Sequence, residues 1–191
     1  MNKNLEQAIK VLKKGGIVIF PTDTAFGIGC RIDRQSSVER LFKIRRRPKL
    51  KATPVLFESI DQVLDYVLSI DPKVLDLMRK HWPGALTIIL PAKLSKVPEL
   101  VRGGGGNIGV RIPDHIDTLS LISGVGVPIL GPSANIHGEA TPFSESELNR
   151  KLISKVDFVL SGKTKLSLAS TVIDCTKTPF RVLRLGAITD I

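Results

Sequence analysis

The sequence predicts a single α/β domain, spanning residues 1–191, that is built on a mixed β-sheet with flanking helices. Three observations support this prediction. Strand-like and helix-like segments alternate at irregular intervals, which favours a mixed sheet over a regular βαβ array. The composition, 42% hydrophobic and 24% charged, is that of a globular protein with a real core. No internal repeat or linker divides the chain, and its length is typical of one domain.

The first half of the chain begins with an amphipathic helix. Leu5, Ala8, Ile9 and Leu12 recur at helical spacing, and Gly15-Gly16 ends the helix. The later elements follow from apolar runs, polar turns and capping patterns. In order, they are strands at 17–20 and 25–30, a helix at 36–44, a strand at 54–57, a helix opened by a capping box at Ser59–Gln62 and a helix opened by Asp71-Pro72.

The second half is richer in strands. The glycine run 103–106 predicts a loop, and Asp114 is predicted to cap a helix that runs to about Ser123. A second capping box is predicted at Ser144–Glu147. Short apolar runs bounded by turn residues predict strands at 85–90, 107–112, 128–130, 157–160, 170–175 and 181–185.

Several classes of protein are excluded by composition. The apolar runs are far shorter than the roughly 20 residues of a membrane helix, so no membrane association is expected. The N-terminus has no signal-peptide core, and the two cysteines, Cys30 and Cys175, form neither a disulfide framework nor a zinc pattern. We therefore expect a reduced, soluble, cytoplasmic protein with no metal site from a protein motif.

Charge gives the first indication of function. The net charge is +10, and the segment 43–51 holds six cations and no acid. Such a cluster repels itself unless an anion binds there, so a nucleotide, a nucleic acid or another polyanion is the expected partner.

Familiar catalytic motifs are absent. There is no G-x-x-x-x-G-K-[ST] or G-x-G-x-x-G loop, Ser133 does not lie in a G-x-S-x-G elbow, and no paired carboxylates suggest acid–base work. The polar groups that remain are cations, hydroxyls and Asn135. This set suits chemistry by positioning and charge neutralisation, of which phosphoryl or nucleotidyl transfer assisted by Mg²⁺ is the main example. Asp23, between two threonines at a strand end, is interpreted as a cap.

Seven segments, taken together and in order, resemble the YrdC-like threonylcarbamoyl-AMP synthases; they are 20–29, 45–51, 81–87, 109–113, 132–138, 170–174 and 183–188. The resemblance implies a twisted α/β fold with a large basic concave face. It also implies condensation of L-threonine, bicarbonate (or CO₂) and ATP into threonylcarbamoyl-AMP and pyrophosphate. Downstream proteins would then transfer the threonylcarbamoyl group to tRNA.

The same resemblance implies roles for individual residues. The threonine would contact Thr24, Arg111 and Ser170, and the nucleotide would contact Arg47, Lys51, Ser133, Asn135, Thr141 and Arg184. The catalytic residues would be Arg45, Arg47, Ser133 and Asn135. Arg45 stands where the family usually has a lysine, and Phe26 stands where it usually has a tyrosine. Mg²⁺ would enter with ATP.

A second hypothesis is a binding module of the same fold without synthase activity. A domain with a net charge of +10 could bind structured RNA, such as tRNA, rRNA or double-stranded RNA. The chain has no RNA-binding motif, and its few aromatic residues offer little for base stacking, which favours the enzyme.

Overall fold

Two β-sheets form the framework of the fold in the computed structural model, which describes residues 2–191. The strands are β1 (Val18–Pro21), β2 (Phe26–Gly29), β3 (Val55–Leu56), β4 (Leu86–Pro91), β5 (Asn107–Arg111), β6 (Ile129–Leu130), β7 (Phe158–Val159), β8 (Thr171–Asp174) and β9 (Arg181–Arg184). The helices are α1 (Lys3–Lys13), α2 (Gln35–Ile44), α3 (Ile60–Leu64), α4 (Pro72–His81), α5 (Glu99–Arg102), α6 (Ile116–Val125) and α7 (Arg150–Ile153), with a 3₁₀ turn at Glu145–Glu147.

Both sheets contain parallel and antiparallel strand pairs, so the predicted mixed character is confirmed. The larger sheet has the order β6-β3-β5-β4-β8-β9, and the smaller has the order β2-β1-β7. In the larger sheet β3 is parallel to β5 and β4 is parallel to β8, whereas its other pairs are antiparallel. Isolated bridges from Gly27 to Ser133 and from Arg31 to Ile129 connect the two sheets. The sequence predicts one mixed sheet and does not indicate this division into two.

Most predicted elements are present within a residue or two of their expected bounds. Helix α1 buries Leu5, Ala8, Ile9 and Leu12, as its periodicity predicts. At α3 the Ser59 hydroxyl accepts from Gln62 N and the Gln62 side chain accepts from Glu58 N, so the predicted cap forms. No helix within residues 2–191 combines the length and the apolar character that crossing a bilayer requires.

Two local predictions are wrong, and two short helices were not predicted. Asp114 does not cap α6, because its carboxylate pairs with Lys165 at 2.9 Å and His115 occupies the cap position. The box at Ser144 opens only a 3₁₀ turn: the Glu147 carboxylate accepts from Phe143 N, but the Ser144 hydroxyl donates to Glu147 instead of capping the backbone. Helices α5 and α7 were not predicted, since four residues are too few to show a helical period.

The two faces of the larger sheet differ. Leu86, Ile88 and Leu90 of β4 point to one face, where they join a hydrophobic cluster that includes Val74 and Met78 of α4. Thr87 and Ile89 alternate with them and point to the other face, where Ile89 is only half-buried. We call these the covered face and the open face. The open face carries the polar side chains described next.

Candidate functional site

A single pocket collects most of the predicted site residues. It lies where the open face of the larger sheet meets the β1–β2 turn of the smaller sheet and the segment after β6. Its wall includes side chains from β4, β5 and β9, together with Ser170 just before β8 and Arg45 at the end of α2. Eight predicted residues line it: Thr24, Arg45, Arg47, Arg111, Ser133, Thr141, Ser170 and Arg184.

Lys51 and Asn135 are the two predicted residues outside the pocket wall. Lys51 is exposed on the loop after α2, where its carbonyl accepts from Arg47 Nε at 3.0 Å. Asn135 is buried behind the wall. Its Oδ1 accepts from the Ser133 hydroxyl at 2.6 Å and from Arg45 Nη2 at 3.1 Å, and its Nδ2 donates to the Glu139 carbonyl at 2.6 Å. Asn135 therefore orients two wall residues.

Arg45 presents a buried cation to the pocket. It follows the last residue of α2 and is only 3% exposed. Its Nε donates to the Asn135 carbonyl at 3.0 Å, whereas Nη1 is buried without a partner in the described chain. Burial, assisted by the neighbouring charge of Arg47, lowers the Arg45 pKa to about 9, which leaves the side chain protonated at neutral pH. A buried guanidinium with an unused donor is suited to an anion.

Arg47 is held in place by backbone carbonyls. Arg46 adopts a left-handed conformation with φ of 51°, which turns the chain away from the axis of α2. Arg47 Nε and Nη2 then donate to the carbonyls of Lys51 and Ala52, and its guanidinium lies 6.0 Å from the centre of the Phe42 ring. Burial lowers the Arg47 pKa from its ordinary value. The charge is thus fixed at the pocket, with no acidic partner in the part of the chain that the structure describes.

Arg111 is the buried arginine of β5, and it does have an acidic partner. Its Nη2 lies 2.5 Å from Asp23 Oδ1, its Nη1 donates to Thr24 Oγ1 at 2.8 Å and its Nε donates to the Gly84 carbonyl at 2.9 Å. Burial lowers the Arg111 pKa, and the charge of Asp23 opposes that change. The interpretation of Asp23 as a cap is wrong, because Thr22 organises the turn: its hydroxyl accepts from the backbone N–H groups of Thr24 and Ala25.

Ser170 and Arg184 form a second polar cluster on the open face. Arg184 Nη2 donates to the Ser170 carbonyl at 2.8 Å and to its hydroxyl at 3.1 Å. The Ser170 hydroxyl also lies 2.9 Å from Thr87 Oγ1. Because these groups come from β4, from the residue before β8 and from β9, pairing of the strands brings together residues that are distant in the sequence.

Three polar residues of the site were given no binding or catalytic role from the sequence. Thr22 and Thr87 line the pocket, and Asp23 holds Arg111 directly behind it. The position of Asp23 between two threonines was noted, but a carboxylate at a strand end is usually a cap and nothing in the sequence names its partner 88 residues away. Alternation along β4 could have placed Thr87 opposite the core side of that strand.

The arrangement can bind and polarise anions. Four arginines and several hydroxyls surround one cavity, whereas no group of three or more His, Cys, Asp or Glu side chains within residues 2–191 is arranged to hold a metal ion. Fixed donors of this kind stabilise negative charge that develops during a reaction.

Comparison with known proteins connects this pocket to a family. The chain matches the Sua5/YciO/YrdC family model, described as telomere recombination, over residues 10–186. It is 32% identical over 186 residues to a threonylcarbamoyl-AMP synthase of Bacillus subtilis, covering 97% of this chain and 54% of that relative. It is 31% identical over 186 residues to a Vibrio campbellii protein of the same name, covering 96% of this chain and 100% of that relative.

Solved structures show the same relationship. The chain superposes on Pyrococcus abyssi Sua5 in complex with L-threonine with a TM-score of 0.92 and 32% identity, covering 96% of this chain and 54% of Sua5. For Escherichia coli YciO the TM-score is 0.87 and the identity 27%, covering 97% of this chain and 90% of YciO. The chain thus spans about half the length of the Bacillus subtilis and Pyrococcus abyssi proteins. By the extent of the family match and its identity to relatives over nearly its whole length, the chain belongs to the Sua5/YciO/YrdC family.

Proposed function

We propose that this protein is an L-threonylcarbamoyl-AMP synthase that acts in tRNA threonylcarbamoyladenosine modification in the cytoplasm. The observation that carries the proposal is the pocket itself: one cavity brings together the residues expected for threonine, Thr24, Arg111 and Ser170, and most of those expected for the nucleotide. Relatives named threonylcarbamoyl-AMP synthase and a Sua5 structure in complex with L-threonine support the same assignment.

The proposed reaction is a nucleotidyl transfer in two stages. The amine of L-threonine forms an N–C bond with CO₂ and loses a proton, or with bicarbonate and releases water; either route gives a carbamate. A carbamate oxygen then attacks the α-phosphorus of ATP, and the bond to pyrophosphate breaks. Arg45 and Arg47 would stabilise the charge on the phosphates, with Ser133, Asn135, Thr141 and Arg184 holding the nucleotide and Lys51 reaching in from the exposed loop.

Magnesium would reach the site bound to the phosphates of ATP. The pocket wall offers guanidinium and hydroxyl groups, and the carboxylate of Asp23, behind the wall, is engaged with Arg111. Hard cations prefer carboxylate and phosphate oxygens, so ATP itself would supply the ligands. The ion would neutralise phosphate charge alongside the arginines.

Identification of the product tests the proposal. We expect threonylcarbamoyl-AMP, detected by mass spectrometry, when the purified protein is incubated with ATP, Mg²⁺, L-threonine and bicarbonate, and its loss when any one of these is omitted. Arg47→Ala should slow product formation by about 10²–10³-fold. Arg31→Ala is the matched control, because Arg31 forms an exposed ion pair with Asp33 outside the pocket. A full rate with Arg47→Ala, or no product with the unaltered protein, would contradict the proposal.

RNA binding is a second candidate that can coexist with the first. Lys43, Arg46 and Lys49 are exposed around the loop after α2, beside the pocket, and could contact the phosphates of tRNA or double-stranded RNA. The expected signature is a linear fall of log affinity with log salt concentration, with a slope of roughly −0.9 per phosphate contact on a duplex. RNA binding that is independent of salt, or that cannot be detected, would exclude this candidate. The product would then pass to the downstream transferase proteins without RNA bound to this chain.

A further inference from the structure

The four arginines of the pocket are not electrically equivalent. Arg45, Arg47 and Arg184 donate only to carbonyl, amide or hydroxyl oxygens, and within residues 2–191 none of them forms an ion pair. Among the described residues only Arg111 and Asp23 form a buried ion pair, and their side chains are 7% and 2% exposed. Three arginines therefore carry an uncompensated positive charge, and the charge of the fourth is cancelled.

We propose that Asp23 is the specificity-determining residue of the threonine subsite, because it neutralises Arg111 so that this arginine accepts a carboxylate and does not attract the phosphates of ATP. The inference rests on the proposed function, in which both anions enter the same cavity. An arginine in such a cavity would otherwise draw the more highly charged triphosphate, because attraction grows with the charge of the ligand. With Asp23 present, that attraction is directed to Arg45, Arg47 and Arg184.

The geometry of Arg111 still permits a carboxylate to bind. A guanidinium has five N–H groups, and the contacts to Asp23, Thr24 and Gly84 use three of them. One N–H on each of Nη1 and Nη2 remains. Two such donors suit the two oxygens of an α-carboxylate.

Asp23 is itself rigidly placed. Its carbonyl accepts from the N–H groups of Lys165 and Leu166, at 3.1 and 2.8 Å, and the Thr22 hydroxyl fixes the turn on either side. Asp23 Oδ2 is buried without a partner in the described chain, which is costly for a carboxylate. The contact between Asp23 Oδ1 and Arg111 balances this charge, so removing it would leave Arg111 as a fourth uncompensated cation in the pocket.

Calorimetric titration of L-threonine, without ATP, tests the inference with inorganic pyrophosphate as the competing anion. We expect the wild-type protein to bind threonine with the same affinity in the presence and absence of pyrophosphate. In Asp23→Asn, which keeps the shape and one acceptor, pyrophosphate should compete with threonine, raising its apparent Kd roughly tenfold or more. Asp33→Asn, which removes a carboxylate from the exposed pair with Arg31, should behave as the wild type.

The outcomes separate the inference from the proposed function. Displacement of threonine by pyrophosphate from the wild-type protein would overturn the inference, and this measurement needs no variant to fold. Absence of competition in a folded Asp23→Asn protein would overturn it as well. In Asp23→Asn/Arg111→Gln neither charge remains, so we expect pyrophosphate not to compete with the threonine binding that is left. Competition in this double variant would show that pyrophosphate displaces threonine from a position other than Arg111, which would also overturn the inference. If the wild type binds no threonine at all, the proposed function fails with it.

Discussion

The covered and open faces of the larger sheet use the same strands for opposite purposes. Along β4, Ile88 is fully buried in the hydrophobic cluster, whereas its neighbour Ile89 is half-buried on the open face. On β5, Val110 is buried in the cluster, whereas Arg111 faces the pocket. The difference shows that one strand can supply stability on one side and chemistry on the other, because successive side chains alternate between faces.

The largest effect is expected from truncating the covered face. Ile88→Ala should lower the free energy of unfolding by about 2–5 kcal/mol, since it leaves a cavity in a packed core. Ile89→Ala, one residue along the same strand, should cost about 1 kcal/mol, because part of its side chain is already in contact with water. Urea denaturation measures both. Equal losses for the two variants would break the distinction between the faces.

The next largest effect concerns the pocket. Arg47→Ala should reduce kcat/KM for ATP by about 10²–10³-fold, the magnitude typical of removing one fixed donor from a developing anion. Its unfolding free energy should change by about 1 kcal/mol or less, since the side chain donates only to two loop carbonyls. A variant that keeps its activity but loses several kcal/mol of stability would show that Arg47 is structural.

A smaller effect is expected from two strand glycines. A Cβ at Gly109 would lie 3.5 Å from Thr87 Cγ2, in ordinary contact above the open face, so Gly109→Ala should raise stability by about 0.5–1 kcal/mol. A Cβ at Gly29 would lie 2.0 Å from the Leu130 carbonyl oxygen, where the backbone must move, so Gly29→Ala should destabilise by about 1–3 kcal/mol. Thermal unfolding of the pair compares an open surface with a tight junction between the sheets. Loss of stability in Gly109→Ala would contradict the prediction that the open face has room for a side chain at this position.

The smallest effect is a pH dependence of nucleotide binding. Burial lowers the Arg45 pKa to about 9, so the folded protein releases this proton at a pH where the unfolded chain retains it. Stability from this group should therefore rise as the pH increases above about 9, while ATP affinity falls because the cation is lost. Titration calorimetry from neutral to alkaline pH checks this expectation. Arg45→Gln should bind ATP more weakly at neutral pH and lose less affinity on alkalinisation; the same pH dependence in both proteins would assign it to another group.

Much of the fold was predictable because its signals are local. Apolar alternation and caps such as Asp71 located nearly all strands and the longer helices. The division into two sheets was not predictable, since it depends on bridges such as Gly27 to Ser133 that join distant segments. Asp114 shows the limit of local rules, because a lysine 51 residues away takes the carboxylate that would otherwise cap a helix.

The site was predictable as a set of residues but not as an electrostatic arrangement. Family motifs named eight residues that do line the pocket. They did not show that Asn135 lies behind the wall or that Arg111 is paired with Asp23, because both facts depend on contacts between segments about 90 residues apart. The roles of these residues in binding remain predictions.

The most direct test of the open face as a synthase site is the rate of pyrophosphate release from ATP and Mg²⁺, measured with and without L-threonine and bicarbonate. We expect release that requires both, with a strong reduction in Arg111→Gln as well as in Arg47→Ala, because both substrates would bind in this one cavity. Release that is independent of threonine, or that is undetectable although ATP binds, would contradict the assignment of this pocket to synthase chemistry.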